Sequence, residues 1–422
     1  MENSTLSHYA EIVMGQSPPG EACNTVGRGL PLLNGPTEYG PHHPTPVQFT
    51  TDAHKQARAG DILFCVRGST TGRMNWADRE YAIGRGVAAI RHKKGSDLQP
   101  FVRAVIEYGL PSLLAQATGS TFPNVSANQL AGLWWPPLDE SGQRSIAQIL
   151  GTLDDKIELN RRMNETLEAI ARVIFKAWFV DFDPVRAKKE GRWHKGESLP
   201  DLPTHLYDLF PAHLVDSELG EVPARWAIGS IYDIADVVYG APFSSAQFNT
   251  EGIGEPLVRI RDLASESPGV WTPEAHPKGY KVRPGDIVVG MDGEFRAHLW
   301  GGVEAWLNQR VCVFVPKGDY SPAFVRNSIT EPLAHVEATE TATTVIHLGK
   351  CDIDLFSAVV PTAPVLAAFN HFCQPCYDRI IAGKLESRTL ADLRNTLLPK
   401  LISGEMRVKD AERFVAGGAH DQ

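Results

Sequence analysis

The sequence predicts an α/β protein built twice over: two mixed α/β globules, separated by two long helices that pair as an antiparallel coiled coil. Three observations predict it. First, short motifs recur at a fixed interval. Gly15 in Val13-Met14-Gly15-Gln16-Ser17-Pro18 returns as Gly240 in Val238-Tyr239-Gly240-Ala241-Pro242, 225 residues on (240 − 15). The turn Ala59-Gly60-Asp61 returns as Pro284-Gly285-Asp286, and Trp134-Trp135-Pro136 corresponds to Val359-Val360-Pro361, at the same offset. Second, a long helical pattern follows each copy, slipped by two residues, with Asp155-Lys156-Ile157 set against Asp378-Arg379-Ile380. Third, the apolar positions of these patterns step by threes and fours, the period of a coiled coil. A unit of this size is too long for a solenoid repeat and long enough for a domain.

Residues 1–140 form the first globule. Its strand candidates are Asp61-Ile62-Leu63-Phe64-Cys65-Val66, led by a Gly-Asp turn, and Val87-Ala88-Ala89-Ile90. The first long helix occupies 141–182. Its seam runs Ile146, Leu150, Leu153, Ile157, crosses a polar stretch at Asn160 and Asn164, and resumes at Leu167, Ala171, Ile174 and Trp178. About 35 residues at 1.5 Å each make a rod of roughly 50 Å. A polar seam residue such as Asn160 fixes register at some cost in stability.

Residues 183–226, rich in Pro, Gly, His and charge, read as a structured linker and lead-in that wraps the end of the helix. The second globule, 227–364, carries strands at Asp286-Ile287-Val288-Val289-Gly290 and Val311-Cys312-Val313-Phe314-Val315. The second helix, 365–410, has the seam Phe369, Cys373, Cys376, Ile380, Gly383, Ser387, Leu390, Arg394, Leu397 and Leu401, weak in its middle as the first is. Residues 411–422 are a tail.

Composition bounds the function. The apolar fraction of 43% is ordinary for a globular chain. No apolar run is long enough to cross a bilayer, and no secretory signal is visible at the start. Six scattered cysteines suit a reducing cytosol, so a cytoplasmic protein without membrane attachment is expected. The net charge of −9 is concentrated in residues 191–364, which carry 13 basic and 23 acidic side chains. Such a chain would hold DNA weakly alone, and a basic partner would supply much of the phosphate contact.

The loop after the first Gly-Asp strand is Arg67-Gly68-Ser69-Thr70-Thr71-Gly72-Arg73, hydroxylic and flanked by arginines. Its residue types suit contacts to phosphates and base edges, so Arg67, Ser69, Thr70, Thr71 and Arg73 are DNA-binding candidates. The second copy reads Gly290-Met291-Asp292-Gly293-Glu294-Phe295-Arg296, acidic and aromatic instead. Equal scaffolds with unlike tips are what two readers of different sequences should look like. Ser120 and Thr121 in the first copy, and Arg259, Arg261, Arg296, Asn308 and Arg310 in the second, are further candidates.

His42-His43 in a Pro-Gly loop and Cys373-x-x-Cys376 on a helix lack the further ligands of a metal site. Phosphate loops, dinucleotide fingerprints and nucleophile elbows are missing, as is the Asn-Pro-Pro-aromatic motif of amino-methyltransferases. No catalysis by the chain alone is expected.

The stretch Leu150-Gly151-Thr152-Leu153-Asp154-Asp155-Lys156-Ile157-Glu158-Leu159-Asn160-Arg161-Arg162-Met163-Asn164-Glu165-Thr166-Leu167-Glu168 resembles the central conserved region of type I restriction-modification specificity subunits. Its continuation Ile174-Phe175-Lys176-Ala177-Trp178-Phe179-Val180-Asp181-Phe182-Asp183-Pro184-Val185 is similar as well. So are the lead-in Ser217-Glu218-Leu219-Gly220-Glu221-Val222-Pro223 with Trp226 and the distal Leu397-Leu398-Pro399-Lys400-Leu401-Ile402-Ser403-Gly404-Glu405.

The resemblance implies that each globule is a target recognition domain reading half of a split double-stranded DNA target. It implies that the helices set the spacing and dock two methyltransferase subunits. A restriction/translocase subunit would complete the complex. S-adenosylmethionine, ATP and Mg would belong to those partners, with no cofactor in this chain. Two departures stand out: the first globule lacks a Gly-x-x-Pro-x-x-Trp lead-in, which implies a shortened or differently built first strand, and Gly383 and Arg394 interrupt the second seam. The competing readings are the recognition part of a single-chain methyltransferase or endonuclease, and a coiled-coil adaptor of proteins.

Overall fold

The computed structural model describes residues 4–117, 123–199, 202–217, 220–339, 346–411 and 413. The chain gathers into two compact units: Met1–Glu158 with Arg388–Gln422, and Leu159–Ser387. Each unit takes a stretch of both long helices.

In the first unit the strands are β1 (Ala10–Met14), β2 (Leu30–Leu33), β3 (Gln48–Thr50), β4 (Gln56–Ala57), β5 (Ile62–Cys65), β6 (Met74–Trp76), β7 (Tyr81–Ile83) and β8 (Val87–His92). They make one sheet in the order β1-β8-β5-β6 and a second in the order β3-β2-β7-β4, edged by the short strand Cys23–Asn24. The helices are α1 (Gln99–Ala115), α2 (Ala127–Ala131) and α3 (Glu140–Phe179). The apolar run of β5 serves both faces of its sheet. Ile62 and Phe64 enter a core shared with Phe101 and Val105 of α1, while Leu63 enters one shared with Leu33, Tyr81 and Ile83. Period-2 alternation with both faces buried explains why the run is apolar throughout.

The second unit repeats this plan. Its strands are β9 (Ala235–Tyr239), β10 (Glu255–Val258), β11 (Trp271–Thr272), β12 (Lys281–Val282), β13 (Ile287–Gly290), β14 (Ala297–Leu299), β15 (Ala305–Leu307) and β16 (Val311–Pro316). The sheet orders are β9-β16-β13-β14 and β11-β10-β15-β12, strand for strand those of the first unit. Even the parallel pair recurs, Leu32 opposite Ala82 and Leu257 opposite Trp306. The helices α4 (Pro322–Thr339), α5 (Lys350–Ile353) and α6 (Ala363–Ser403) follow.

The structural register corrects one sequence match. Leu6 N–H donates to Leu133 O as Ile231 N–H donates to Phe356 O. Trp134 faces Thr5 in the place where Ser357 faces Ser230. The slip therefore falls before α2 and α5, and Trp134-Trp135-Pro136 does not superpose in register on Val359-Val360-Pro361. The pairing described at the lead-in differs between the units. Ala227–Ser230 pairs with Ser357–Val360 over four residues, whereas the first unit keeps the single bridge Thr5–Trp134 among its described residues.

Segment 183–226 folds against the end of α3. The ring of Trp178 meets that of Phe210 at 5.0 Å, and Phe179 meets Trp226 at 5.6 Å. The lead-in strand Gly220–Pro223 pairs with Leu214–Ser217.

The predicted seams bury, with one shift: Tyr377 rather than Cys376 takes the core position, while Ile157, Leu167, Ile174 and Leu390 are half-buried. Within the second unit, Asn160 Nδ2 donates to Glu386 Oε2 (2.8 Å) and Ser387 Oγ (3.3 Å). A side chain at Gly383 would meet Asn164 Oδ1 at 2.8 Å. Phe175 and Trp178 meet Phe369 at 6.0 and 6.3 Å. Rising numbers on α3 meet falling numbers on α6, so the two helices run antiparallel there.

Within the first unit, Leu150 and Leu153 share a core with Leu397 and Leu401. Arg394 bridges Asp154 and Glu107 at 2.5 Å each. The two residues that interrupt the second seam are thus used: Gly383 makes room for Asn164, and Arg394 joins α1, α3 and α6.

Candidate nucleic-acid interface

In the first unit three chain segments converge at the end of β5. Val66 N–H donates to Gly86 O (2.9 Å), Gly68 N–H to Pro123 O (3.2 Å), and Val125 N–H to Val66 O (2.8 Å). This frame holds Arg67 opposite Asn124 in an isolated bridge. Gly68 and Gly72 turn the hairpin with φ of 93° each, a left-handed conformation that favours glycine. The Thr71 hydroxyl lies 2.7 Å from Gly68 O and 2.8 Å from Pro123 O, so it pins the tip and is spent on the fold. Ser69 and Thr70 stay exposed beside Arg67.

Arg73 is committed elsewhere. Its Nη2 donates to Tyr39 O (2.9 Å) and its Nη1 to Pro36 O (3.4 Å), with the guanidinium over the Tyr39 ring. Burial pushes the Tyr39 phenol well above its ordinary pKa, with Arg73 opposing the shift. Arg73 therefore anchors the 36–39 turn, and Arg67 is exposed at this tip. Among the described residues Arg67 has no ion-pair partner. Ser120 and Thr121 lie outside the described residues.

The second unit uses the same frame with other side chains. Met291 N–H donates to Arg310 O (2.9 Å), Gly293 N–H to Ile346 O (3.1 Å), and Leu348 N–H to Met291 O (2.8 Å). Asp292 thus stands where Arg67 does, Arg310 where Gly86 does, and His347 where Asn124 does. Arg310 Nη1 lies 3.2 Å from Asp292 Oδ1, and His347 Nδ1 lies 2.7 Å from the same oxygen. Arg296 is exposed and pairs with Glu294 at 2.9 Å, and Arg261 is exposed.

Two further candidates are engaged within the fold. Arg259 Nε and Nη2 donate to Asp262, closing a turn (3.1 and 3.3 Å). Asn308 is 9% exposed, its Oδ1 accepts from Gln309 N–H, and its backbone N–H donates to Val258 O. Both side chains thus help hold their loops in place. The sequence reading missed His347 and Arg85, which donates to Ser17 Oγ at the same junction. Neither carries a local pattern, because the junction is made by segments distant in sequence.

No group of three or more His, Cys, Asp or Glu among the described residues is placed to hold a metal ion. Cys373 is fully buried between Phe369 and Tyr377 on α6. No helix among the described residues is long and apolar enough to cross a membrane.

Comparison with known proteins gives this geometry its context. Residues 1–169 match the family described as type I restriction modification DNA specificity domain, a recognition domain rather than a catalytic one. The chain is 24% identical over 409 residues to the type I restriction enzyme HindI specificity subunit of Haemophilus influenzae, covering 84% of this chain and 88% of that protein. It is 26% identical over 304 residues to the MjaIX specificity subunit of Methanocaldococcus jannaschii, covering 69% and 65%. The crystal structure of the S subunit of a type I restriction-modification system from M. genitalium shares the fold, with a TM-score of 0.54 and 14% identity over 94% of this chain and 95% of that one. Residues 1–169 thus carry a type I restriction modification DNA specificity domain, and the chain is similar along most of its length to type I restriction enzyme specificity subunits and shares the fold of a solved S subunit.

Proposed function

We propose that this chain reads a split double-stranded DNA target, one recognition domain per half, and docks the subunits that methylate and cut. The observation that carries the reading is the shared hydrogen-bond frame with exchanged side chains: Arg67 and Asn124 in one unit, Asp292, Arg310 and His347 in the other. A common frame positions both units alike, and unlike side chains select unlike bases. An exposed arginine fits guanine O6 and N7, and asparagine fits adenine N6 and N7. Ser69, Thr70, Arg261 and Arg296 are suited to phosphate contacts that set register.

Docking has its own support on α3. Leu159, Ile170, Val173 and Val180 are exposed apolar residues, with Met163 and Ala177 half-buried among them. Their steps of four, seven, three, four and three, the seven spanning Thr166 and Val180 lying just past the helix end, make a second heptad stripe suited to a partner helix. We assign this stripe to a methyltransferase subunit, two copies of which serve each chain. S-adenosylmethionine, ATP and Mg then reside in the methyltransferase and restriction/translocase subunits, in a cytoplasmic complex. Recognition domains at 1–140 and 227–364, with conserved helices at 141–182 and 365–410, fit this division of labour.

The test is methyl transfer to DNA, with labelled methyl donor, by the full chain alone and with its methyltransferase subunit. Transfer only in the assembled complex, at sites set by this chain, is expected. Transfer by the chain alone contradicts the reading.

A further inference from the structure

The second unit's tip holds a cluster that its charge pattern alone does not announce. Asp292 follows β13, Arg310 precedes β16, and His347 precedes α5; the frame described above joins the three segments. One carboxylate oxygen, Asp292 Oδ1, faces both Arg310 Nη1 (3.2 Å) and His347 Nδ1 (2.7 Å). His347 Nδ1 also lies 3.0 Å from Arg310 Nη1, so the three side chains touch one another, and Nδ1 donates to the carboxylate or accepts from the guanidinium according to its tautomer. The remaining N–H groups of Arg310, whose side chain is 55% exposed, stay available. Arg310 also has φ of 71°, a left-handed conformation unfavourable for a branched backbone with a Cβ, where the first unit has Gly86. Such strain is held where the surrounding structure over-determines it, and it gathers at functional positions.

Resting on the reading of this chain as a DNA specificity subunit, we infer that Asp292, Arg310 and His347 form the specificity-determining cluster of the second unit, with Arg310 reading guanine and the other two positioning it. Asp292 anchors one edge of the guanidinium, so the opposite edge is aimed and the side chain surrenders less rotamer freedom on binding. The carboxylate also offsets the cation's attraction to any phosphate, which favours the base edge over the backbone. His347, whose Nδ1 is within reach of both Asp292 Oδ1 and Arg310 Nη1, closes the cluster.

The experiment uses the full chain assembled with its methyltransferase subunit and two duplex pools, each randomised in one half of the selected target. Arg310→Lys keeps the charge and loses the planar fork. It is expected to lose about tenfold of guanine preference at one position of the second half, with affinity for the pool as a whole retained. Asp292→Asn is expected to weaken the same preference at the same position and leave the first half unchanged. Arg310→Gly, the residue type of the first unit, is expected to lose the preference while unfolding at no lower temperature, which a purely structural role would not produce. Equal weakening on all sequences, an unchanged preference, or a change in the first half overturns the assignment. A wild-type complex with no preference in either half overturns instead the reading on which it rests.

Discussion

At the scale of single residues, exposure and commitment separate readers from braces. Arg67 and Arg73 flank one hairpin, yet Arg73 spends its donors on Pro36 and Tyr39 while Arg67 has no ion-pair partner among the described residues. Arg67→Ala is expected to cost about 1–3 kcal/mol of discrimination at one base of the first half and to leave the second half intact. Arg73→Ala should instead lower stability by about 1 kcal/mol, the worth of a hydrogen bond, with smaller effect on base choice. Binding to half-randomised duplexes and thermal unfolding of both variants separate the two outcomes. Both arginines look alike in the sequence. Their difference comes from Tyr39, 34 residues upstream, and no local pattern announces a contact of that range.

At the scale of elements, what was legible is what repeats locally. The two long helices declare themselves through apolar steps of three and four, and strand β5 through an apolar run whose alternate residues feed two different cores. The Trp134-Trp135-Pro136 match misled because the slip between the copies falls earlier, where short strands pair across long sequence distances. Arg394, an apparent flaw in a seam, is an ion-pair hub between Asp154 and Glu107. Burial raises the Asp154 pKa, with Arg394 the largest opposing influence. Arg394→Met therefore leaves the half-buried Asp154 without this ion pair, while Glu107 keeps Arg103, and should cost about 2 kcal/mol. Unpaired, Asp154 binds a proton more readily folded than unfolded, so the deficit should shrink as pH falls from 8 to 5. His298 has the opposite sign. Desolvation, with Lys384, Arg326 and Arg296 adding to it, lowers its pKa to about 4. Its neutral form belongs to the folded state, so it should lower stability as pH drops from about 6.5 toward 4, and His298→Asn should flatten that slope in urea unfolding.

At the scale of the whole molecule, duplication is the organising fact: two units with the same sheet orders, the same hydrogen-bond frame, and different side chains on it. Helix α3 adds a second, exposed apolar stripe to its buried seam. Val173→Glu, on that stripe and 65% exposed, should leave the fold intact and weaken co-purification with the methyltransferase subunit by tenfold or more, roughly the loss of one well-packed apolar contact. The central claim, that two unlike readers share one chain, is tested most directly by selecting the DNA target of the assembled complex from a fully randomised duplex pool. The account predicts two specified segments of different sequence with unspecified base pairs between them. A single uninterrupted segment, or two identical half-sites in inverted repeat, would contradict it.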